Sequence, residues 1–504
     1  MEVDSDANSR FADGTRNFVA WFQTLPGATF RSDLIAVEDL RGRNAGRGII
    51  AKQDIPADTV LFTIPRTAII CTATSALKDK IPGIFDLDND DAGKSDSGDG
   101  GDGEATSSSQ DSWTLLILAM IYEHQQGDAS PWKPYLDVLP AAFDTPMFWS
   151  PAELSQLQAS ALVAKVGKAE ADRMIQAKIV SVVRAHNDVF FPPGSAHLDD
   201  AQLLQLAHRM GSTIMAYAFD LEKDEADDGG EGEEDEGWVE DREGKTMLGM
   251  VPMADILNAD ASFNAHINHG GDALTATALR PIRAGEEVLN YYGPLANGEL
   301  LRRYGYVTPA HARYDVVELP WALVESELRD RVGGRMGKEG WEEVRQLAEK
   351  DEEFEESFVL ERSSEDPDST GELGSDAVFT GLPDELGEQF KTFLKAMKKV
   401  GNVELAVQAL SDKDTRKDLY LRTVLRALHA REQQYATSLE EDERLAGASQ
   451  PSGRERMALW VRRGEKQVLR EAQAWVQQAI NELQAQASTR TREDDGPAAK
   501  RRRM

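Results

Sequence analysis

Residues 290–307 read NYYGPLANGELLRRYGYV. Tyr292 and Tyr304 each stand directly before a glycine, twelve residues apart, and an amphipathic stretch with Leu295, Leu300 and Leu301 lies between them. The spacing leaves two readings open. Buried tyrosines whose hydroxyls find partners are ordinary core residues. Alternatively, a short helix holds two phenols at one small site. The rest of the chain has to decide between them.

Two other stretches bear on that choice. GRNAGRGIIAK at 42–52 contains Gly46, Gly48 and Ala51, a G-x-G-x-x-A pattern. A dinucleotide fold needs a helix immediately after such a turn, with its N-terminus on the pyrophosphate. QDIPADTVLFTIP follows instead, a turn and a strand, so the Rossmann reading is rejected. Glycines between strands still let a ligand approach the backbone closely, and a plain hairpin turn is the alternative. MVPMADILNAD at 250–260 places Asp255, Asn258 and Asp260 after an apolar run. A short turn with capping side chains explains that pattern equally well. His266 and His269 in NAHINH have no matching Cys or carboxylate pattern, so no metal site is expected. No nucleophile elbow or phosphate loop occurs.

The chain has 504 residues, which predicts two or more domains. No apolar run approaches the roughly 20 residues of a membrane helix. The N-terminal MEVDSDANSR is polar and acidic, unlike a secretory signal. One cysteine, Cys71, allows no internal disulfide and no zinc cluster built on several thiolates.

The net charge of −32 is unevenly spread. Segments 88–111, 220–243 and 351–376 carry −7, −12 and −10, together −29 of it. They are rich in Gly or Ser or contain Pro, and they read as solvated, disordered insertions. The functional alternative is that they steer a basic substrate toward the protein. Direct nucleic-acid binding is disfavoured, because phosphate needs clustered Lys and Arg. The one basic cluster, Lys500 with Arg501, Arg502 and Arg503, reads as a nuclear address on a tail at 488–504, with a cytoplasmic pool also allowed.

LIAVEDL, GRGIIAKQDI and TVLFTIPRTAII, within 34–70, read as short strands. Residues 113–124, WTLLILAMIYEH, are too continuously apolar for a surface helix and read as a buried one. Residues 150–220 are helical in pattern; Ser150 caps a helix with Pro151 in its first turn and Glu153 at its third position. Residues 246–292 return to strands and turns. Beyond about 320, helical periodicity dominates, as in Val468, Leu469, Ala472, Trp475, Val476, Ala479, Ile480 and Leu483.

Taken in order, GRG between strands, PMADILNAD, and NYYG followed by YGYV resemble the SET domain of protein lysine methyltransferases. More narrowly, the chain resembles the Rubisco large-subunit methyltransferase type, in the fungal ribosomal lysine methyltransferase 4 group and its animal counterpart, SET domain-containing protein 6. SPWKPYLDVLP with TPMFW at 130–149, RMGSTIMAYAFD at 209–220 and the helical C-terminal part extend the likeness over roughly 18–485. The resemblance implies an α+β fold of small β-sheets with a knot-like crossing, a helical insertion at about 75–215 and an all-α C-terminal domain. It divides the chain into a polar tail at 1–17, a SET domain at 18–315 and a helical substrate-binding-type domain at 316–487.

The resemblance also implies roles. Ala45, Gly46, Arg47 and Gly48 match the loop that holds the methionine part of S-adenosylmethionine. Asn258 and Ala259 match cofactor-binding positions. Tyr217 matches a cofactor-binding position where many relatives carry Arg. Tyr292 matches the catalytic tyrosine, and Tyr304 the second tyrosine walling the cofactor pocket. Trp113, Ala218 and Asp220 match positions lining the substrate channel. Ala259-Asp260 departs from the usual histidine after Asn, so that contact is missing. The implied substrate is a lysine of a basic protein, by family analogy a large-subunit ribosomal protein, and the enzyme is expected to be a monomer. Two alternatives stand beside this: a SET-fold binding protein with weak catalysis, and a protein-histidine methyltransferase.

Overall fold

The β-branched runs become strands where they meet partners. The structure, a computed structural model, describes residues 2–43, 45–85, 103–222, 246–332, 336–350, 354–448 and 453–494. After β1 (Thr29–Phe30) come β2 (Ile35–Asp39), β3 (Arg47–Ala51) and β4 (Val60–Pro65). The pair β5 (Ala218–Glu222) and β6 (Thr246–Met250) follows, then β7 (Asn258–Ala259), β8 (Ala265–His269), β9 (Ala273–Ala278) and β10 (Glu287–Asn290). They form two four-stranded sheets, β1-β4-β9-β8 and β2-β3-β10-β7. β9 and β10, adjacent in sequence, belong to different sheets; the turn between them, with Gly285 at φ +84°, carries the chain across. β7 runs parallel to β10, with Asn258 opposite Leu289 and Ala259 opposite Asn290. The architecture is α+β.

The apolar run at 113–124 lies in helix α2 (Gly103–Gln125), with Leu116 to Tyr122 buried beneath the sheets. The helix starting at Pro151 has the expected cap: Ser150 Oγ accepts from the Glu153 amide, and the Ser150 amide donates to Glu153 Oε2 at 2.7 Å. That helix is only four residues long. The helical stretch read at 150–220 is cut by left-handed residues, Gln158 at φ +55° and Gly167 at +58°. It ends in α3 (Asp200–Tyr217), capped by Asp199 and Gln202.

Three stretches differ from the sequence reading. Residues 2–24, which include the supposed polar tail, form helix α1 (Glu2–Thr24). Phe11, Phe18 and Phe22 recur at helical spacing, and Phe18 and Phe22 are fully buried in the core. The C-terminal part is not wholly helical: β11 (Val317–Pro320) and β12 (Ser357–Leu360) form an antiparallel pair at its edge. The acidic segment 351–376, read as a disordered insertion, has a defined course over 354–376. Phe358 and Leu360 are buried, and the remainder straps across the first domain. There the Phe263 amide donates to the Gly371 carbonyl at 2.9 Å. Of the other acidic segments, 103–111 lies in α2 and 220–222 in β5; their remaining residues, and the basic cluster 500–503, lie outside the described residues.

Gly371 has φ +76°, and an added Cβ would stand 2.9 Å from the Phe263 carbonyl carbon. Gly371→Ala is therefore expected to lower stability by about 1–3 kcal/mol. Equilibrium urea unfolding checks this, and an unchanged midpoint would show that the strap is loosely held.

The helical part packs back on the first domain through buried carboxyls. Between the tyrosines, helix α4 (Asn297–Tyr304) begins with Asn297, whose amide donates to Asp315 Oδ1 at 2.9 Å. Glu465 accepts from Ser160 Oγ at 2.6 Å and from the Tyr435 hydroxyl at 2.7 Å. Burial pushes both Asp315 and Glu465 up to about 7. Between their ordinary values and pH 7 the folded chain holds protons that the unfolded chain has lost. The contribution to stability is therefore full below about pH 4 and disappears as pH rises to 7. The denaturation midpoint should fall across that window, and Glu465→Gln should flatten the fall. An identical slope in the variant would assign the dependence to other groups.

Candidate active site

Three adjoining strands of the second sheet build the site. β3, β10 and β7 lie side by side and bring GRG, VLN and NA together. Tyr292 follows β10 by two residues, and Tyr304 ends α4. Each following glycine is left-handed, Gly293 at φ +97° and Gly305 at +79°. Gly305 closes α4, its amide donating to the Leu300 and Leu301 carbonyls. An added Cβ there would press on the Asp144–Thr145 backbone at 3.1 Å. The repeated Tyr-Gly is thus two chain reversals that turn the phenols toward each other. The rings stack with centroids 4.7 Å apart and an interplanar angle of 19°.

The Tyr292 hydroxyl donates to the Leu257 carbonyl at 3.1 Å. Burial, reinforced by Tyr306, Tyr217 and Tyr304, pushes it well above the usual phenol range. Burial likewise holds Tyr217 and Tyr304 at about 12. All these phenols are neutral donors at physiological pH. Each is deep in the protein yet retains some exposure.

The turn before β7 points a carboxyl into this region. Met253 is fully buried at φ +81°, a conformation a side chain adopts only when its surroundings impose it. Two residues on, Asp255 Oδ2 accepts from the Tyr135 hydroxyl at 2.5 Å. Asp255 Oδ1 is buried without a partner among the described residues. Burial pushes this carboxyl up to about 7.

Asn258 is clamped. Its Nδ2 donates to the Arg47 carbonyl at 3.1 Å and to Glu287 Oε1 at 2.7 Å. Gly48 packs against the same groups; a Cβ would stand 2.7 Å from Glu287 Oε1 and 2.8 Å from Asn258 Nδ2. A Cβ on Gly46, by contrast, would meet nothing within 4 Å. The Ala45 amide and the Gly46 carbonyl are both bonded to Leu40. The Arg47 side chain points away, to Thr15 Oγ1 and the Val138 carbonyl at 2.9 Å, with the Phe11 ring beneath it.

At the departure from the usual histidine, Ala259 is buried, and the Tyr306 hydroxyl lies 3.5 Å from its carbonyl oxygen. Asp260 Oδ1 accepts from the Ala261 amide at 2.8 Å and from Thr308 Oγ1 at 3.1 Å, which fixes the turn. Trp113 packs against Gly211 on α3, six residues before Tyr217. Ala218 and Asp220 share one face of β5, opposite Met250 and Leu248.

The structure therefore gathers Gly48, Asn258 and the Arg47 backbone into one clamp, and Tyr292, Tyr304 and Tyr217 into one cluster. Tyr306, Asp255 and Tyr135 join them. The sequence reading did not single out Tyr306, the second tyrosine of YGY, and took Asp255 only as part of a possible turn. Tyr135, 120 residues from Asp255 in sequence, carries no local signal. No group of three or more His, Cys, Asp or Glu side chains that could hold a metal occurs among the described residues.

Two family matches agree with this geometry. The SET domain family matches residues 46–293, and the Rubisco LSMT substrate-binding family matches 388–469. A SET-domain match is thus followed, in the same chain, by a Rubisco LSMT-type substrate-binding match. It is similar to ribosomal lysine N-methyltransferase 4 of Saccharomyces cerevisiae, with 33% identity over 61% of this chain and 58% of the yeast protein. It is also similar to N-lysine methyltransferase setd6 of Salmo salar, with 28% identity over 64% of each. These two matches span somewhat under two thirds of the relatives' lengths. N-lysine methyltransferase SETD6 of Mus musculus is 27% identical over 85% of this chain and 84% of its own. Among solved structures, the SET domain of LSMT bound to lysine and AdoHcy superposes with a TM-score of 0.59 at 19% identity. It covers 94% of this chain and 92% of that one, a likeness of fold.

Proposed function

We propose that this chain transfers a methyl group from S-adenosylmethionine to the side-chain nitrogen of a lysine in a protein. The observation that carries the reading is the stacked Tyr292–Tyr304 pair, with the Tyr292 hydroxyl turned onto the Leu257 carbonyl beside the Asn258 clamp. The names of the relatives support it. The residues fit such a cofactor: Gly46 has open space beside it, and the orphaned Asp255 Oδ1 offers an acceptor. In this reading Ala45, Gly46, Tyr217, Asn258, Ala259 and Tyr304 hold S-adenosylmethionine, together with the backbone of Arg47 and Gly48. When bound, it supplies an electron-poor methyl on a sulfonium.

The protein's own groups do the rest. A lysine arriving through Trp113, Ala218 and Asp220 starts as an ammonium with a pKa near 10.4 and must lose a proton. A site walled by tyrosine rings disfavours the charged form and lowers that value. Tyr292, held neutral, is a fixed dipole that orients the amine. Carbonyl oxygens near the cofactor's methyl would accept weak CH···O contacts from it. Alignment of nitrogen, carbon and sulfur is worth several kcal/mol by positioning alone.

The substrate in our reading is a basic protein, specifically a large-subunit ribosomal protein; the yeast relative's name supports the ribosomal part. The basic cluster at 500–503 supports a nuclear location, and we take the enzyme as a monomer. Ala259 at the histidine position favours a second reading, a SET-fold binding protein with weak catalysis. Incubation with labelled S-adenosylmethionine and a protein extract separates the two. A labelled band whose modified residue is lysine by mass spectrometry supports the enzyme; modified histidine or no label overturns it.

A further inference from the structure

Away from the tyrosine cluster, three helices of the C-terminal part meet in a small basic cavity. They are α5 (Trp321–Val332), α6 (Lys413–Gln433) and α7 (Gly453–Asp494). Arg331, Arg422, Arg426, Leu425, Gln477 and Ile480 line a space of about 210 Å³. That is below the roughly 300–1,000 Å³ of sites for drug-sized ligands and suits a small group.

The charges in it are incompletely matched. Arg422 Nε donates to both oxygens of Asp418 at 2.8 Å. Arg426 reaches Glu327 only at 3.9 Å, and its side chain is 61% exposed. The Arg331 side chain forms no ion pair among the described residues, and its Nε is closed off from solvent without a partner among them. Burial, with Arg426 and Arg422 nearby, pulls the Arg331 guanidinium below its ordinary value. Three guanidinium groups against two carboxylates leave one positive charge. A buried, unpartnered donor of this kind is costly unless something accepts from it. Leu425 and Ile480 supply an apolar wall for a short stem, and two weakly engaged guanidinium forks suit an oxyanion.

We propose that this cavity binds one small oxyanion, and that its occupant is the side-chain carboxylate of a protein docking on the helical domain. Arg422, Leu425 and Arg426 fall within the part that matches the Rubisco LSMT substrate-binding family. The assignment of a protein occupant rests on the proposed protein-methyltransferase activity; the oxyanion site itself does not. Nucleic acid is a poor occupant for a chain of net charge −32.

The test uses the full chain with ¹⁵N-labelled arginine and follows the Nε–H resonances at constant ionic strength. The probes are N-acetylglutamate amide and inorganic phosphate. A saturable shift with the glutamate compound is expected, weakened about tenfold or more in Arg331→Ala and in Arg426→Gln, the usual effect of removing a charge-assisted hydrogen bond. Arg426→Gln, at an exposed position, keeps the test valid if Arg331→Ala fails to fold. Saturable binding of phosphate alone would overturn the side-chain assignment, and no saturable shift with either probe would overturn the site. Neither readout depends on methyl transfer, so failure here is distinguishable from failure of the proposed activity.

Discussion

Tyr292→Phe is expected to fold as the parent does and to lose methyl transfer by about 100-fold or more, the scale on which one preorganised donor at a reacting centre acts. The ring, which carries the packing, is retained, so the 4.7 Å stack on Tyr304 survives. What disappears is one hydroxyl and its 3.1 Å bond to the Leu257 carbonyl. Losing an intramolecular bond of that kind costs roughly 1 kcal/mol of stability. The two effects differ by enough to separate. If Tyr292 were only a core residue, stability would fall slightly and turnover would not change. If its hydroxyl orients the amine, single-turnover rates fall while the denaturation midpoint barely moves. Tyr304→Phe serves as the contrast: its hydroxyl makes no comparable bond to the Leu257 carbonyl, so its loss should touch cofactor affinity more than rate. Near-parental turnover by Tyr292→Phe would return the pair to ordinary packing.

The stacking of the pair rests on local determinants, though its role does not. Tyr-Gly twice, an amphipathic spacer and two left-handed glycines are all contained in eighteen residues. The strands around it were legible for the same reason, since β-branched runs between turn formers declare themselves. Their partners were not. β9 and β10 read as strand, turn, strand, yet they belong to different sheets, and only long-range pairing decides that. Acidic composition misled twice. An acidic N-terminus concealed Phe11, Phe18 and Phe22 on one helical face. An acidic, glycine-containing segment concealed Phe358 and Leu360, and its anchor is a backbone bond from distant Phe263. Charge density measures the cost of burying the average residue, whereas a few aromatic residues at the right spacing determine whether the segment docks. Arg47 shows a further limit. Its place in GRG, matched for its backbone, says nothing of its guanidinium, which is spent on α1 and the Val138 carbonyl.

Gly46→Ala and Gly48→Ala, two residues apart, should fail in opposite ways. At Gly48 a methyl group would collide with the Leu40 side chain and stand 2.7 Å from Glu287 Oε1 and 2.8 Å from Asn258 Nδ2. β3 is paired on both sides and cannot retreat, so the clamp on Asn258 must open. Overpacking of this kind costs about 1–3 kcal/mol, and Gly48→Ala should lower the melting temperature with or without ligand. At Gly46 the added methyl would meet no protein atom within 4 Å, and its φ requires no glycine. Gly46→Ala should therefore melt as the parent does, or slightly higher, since alanine restricts the unfolded chain. Its effect should appear only when S-adenosylmethionine is added. If the open space beside Gly46 is where the cofactor lies, calorimetric titration should show affinity reduced about tenfold or more, because a methyl group then overlaps the ligand and must displace it or the loop. The parent should be stabilised thermally by S-adenosylmethionine and Gly46→Ala much less so. Parental affinity in Gly46→Ala would move the cofactor off this loop, and parental stability in Gly48→Ala would mean that β3 yields more readily than its pairing implies.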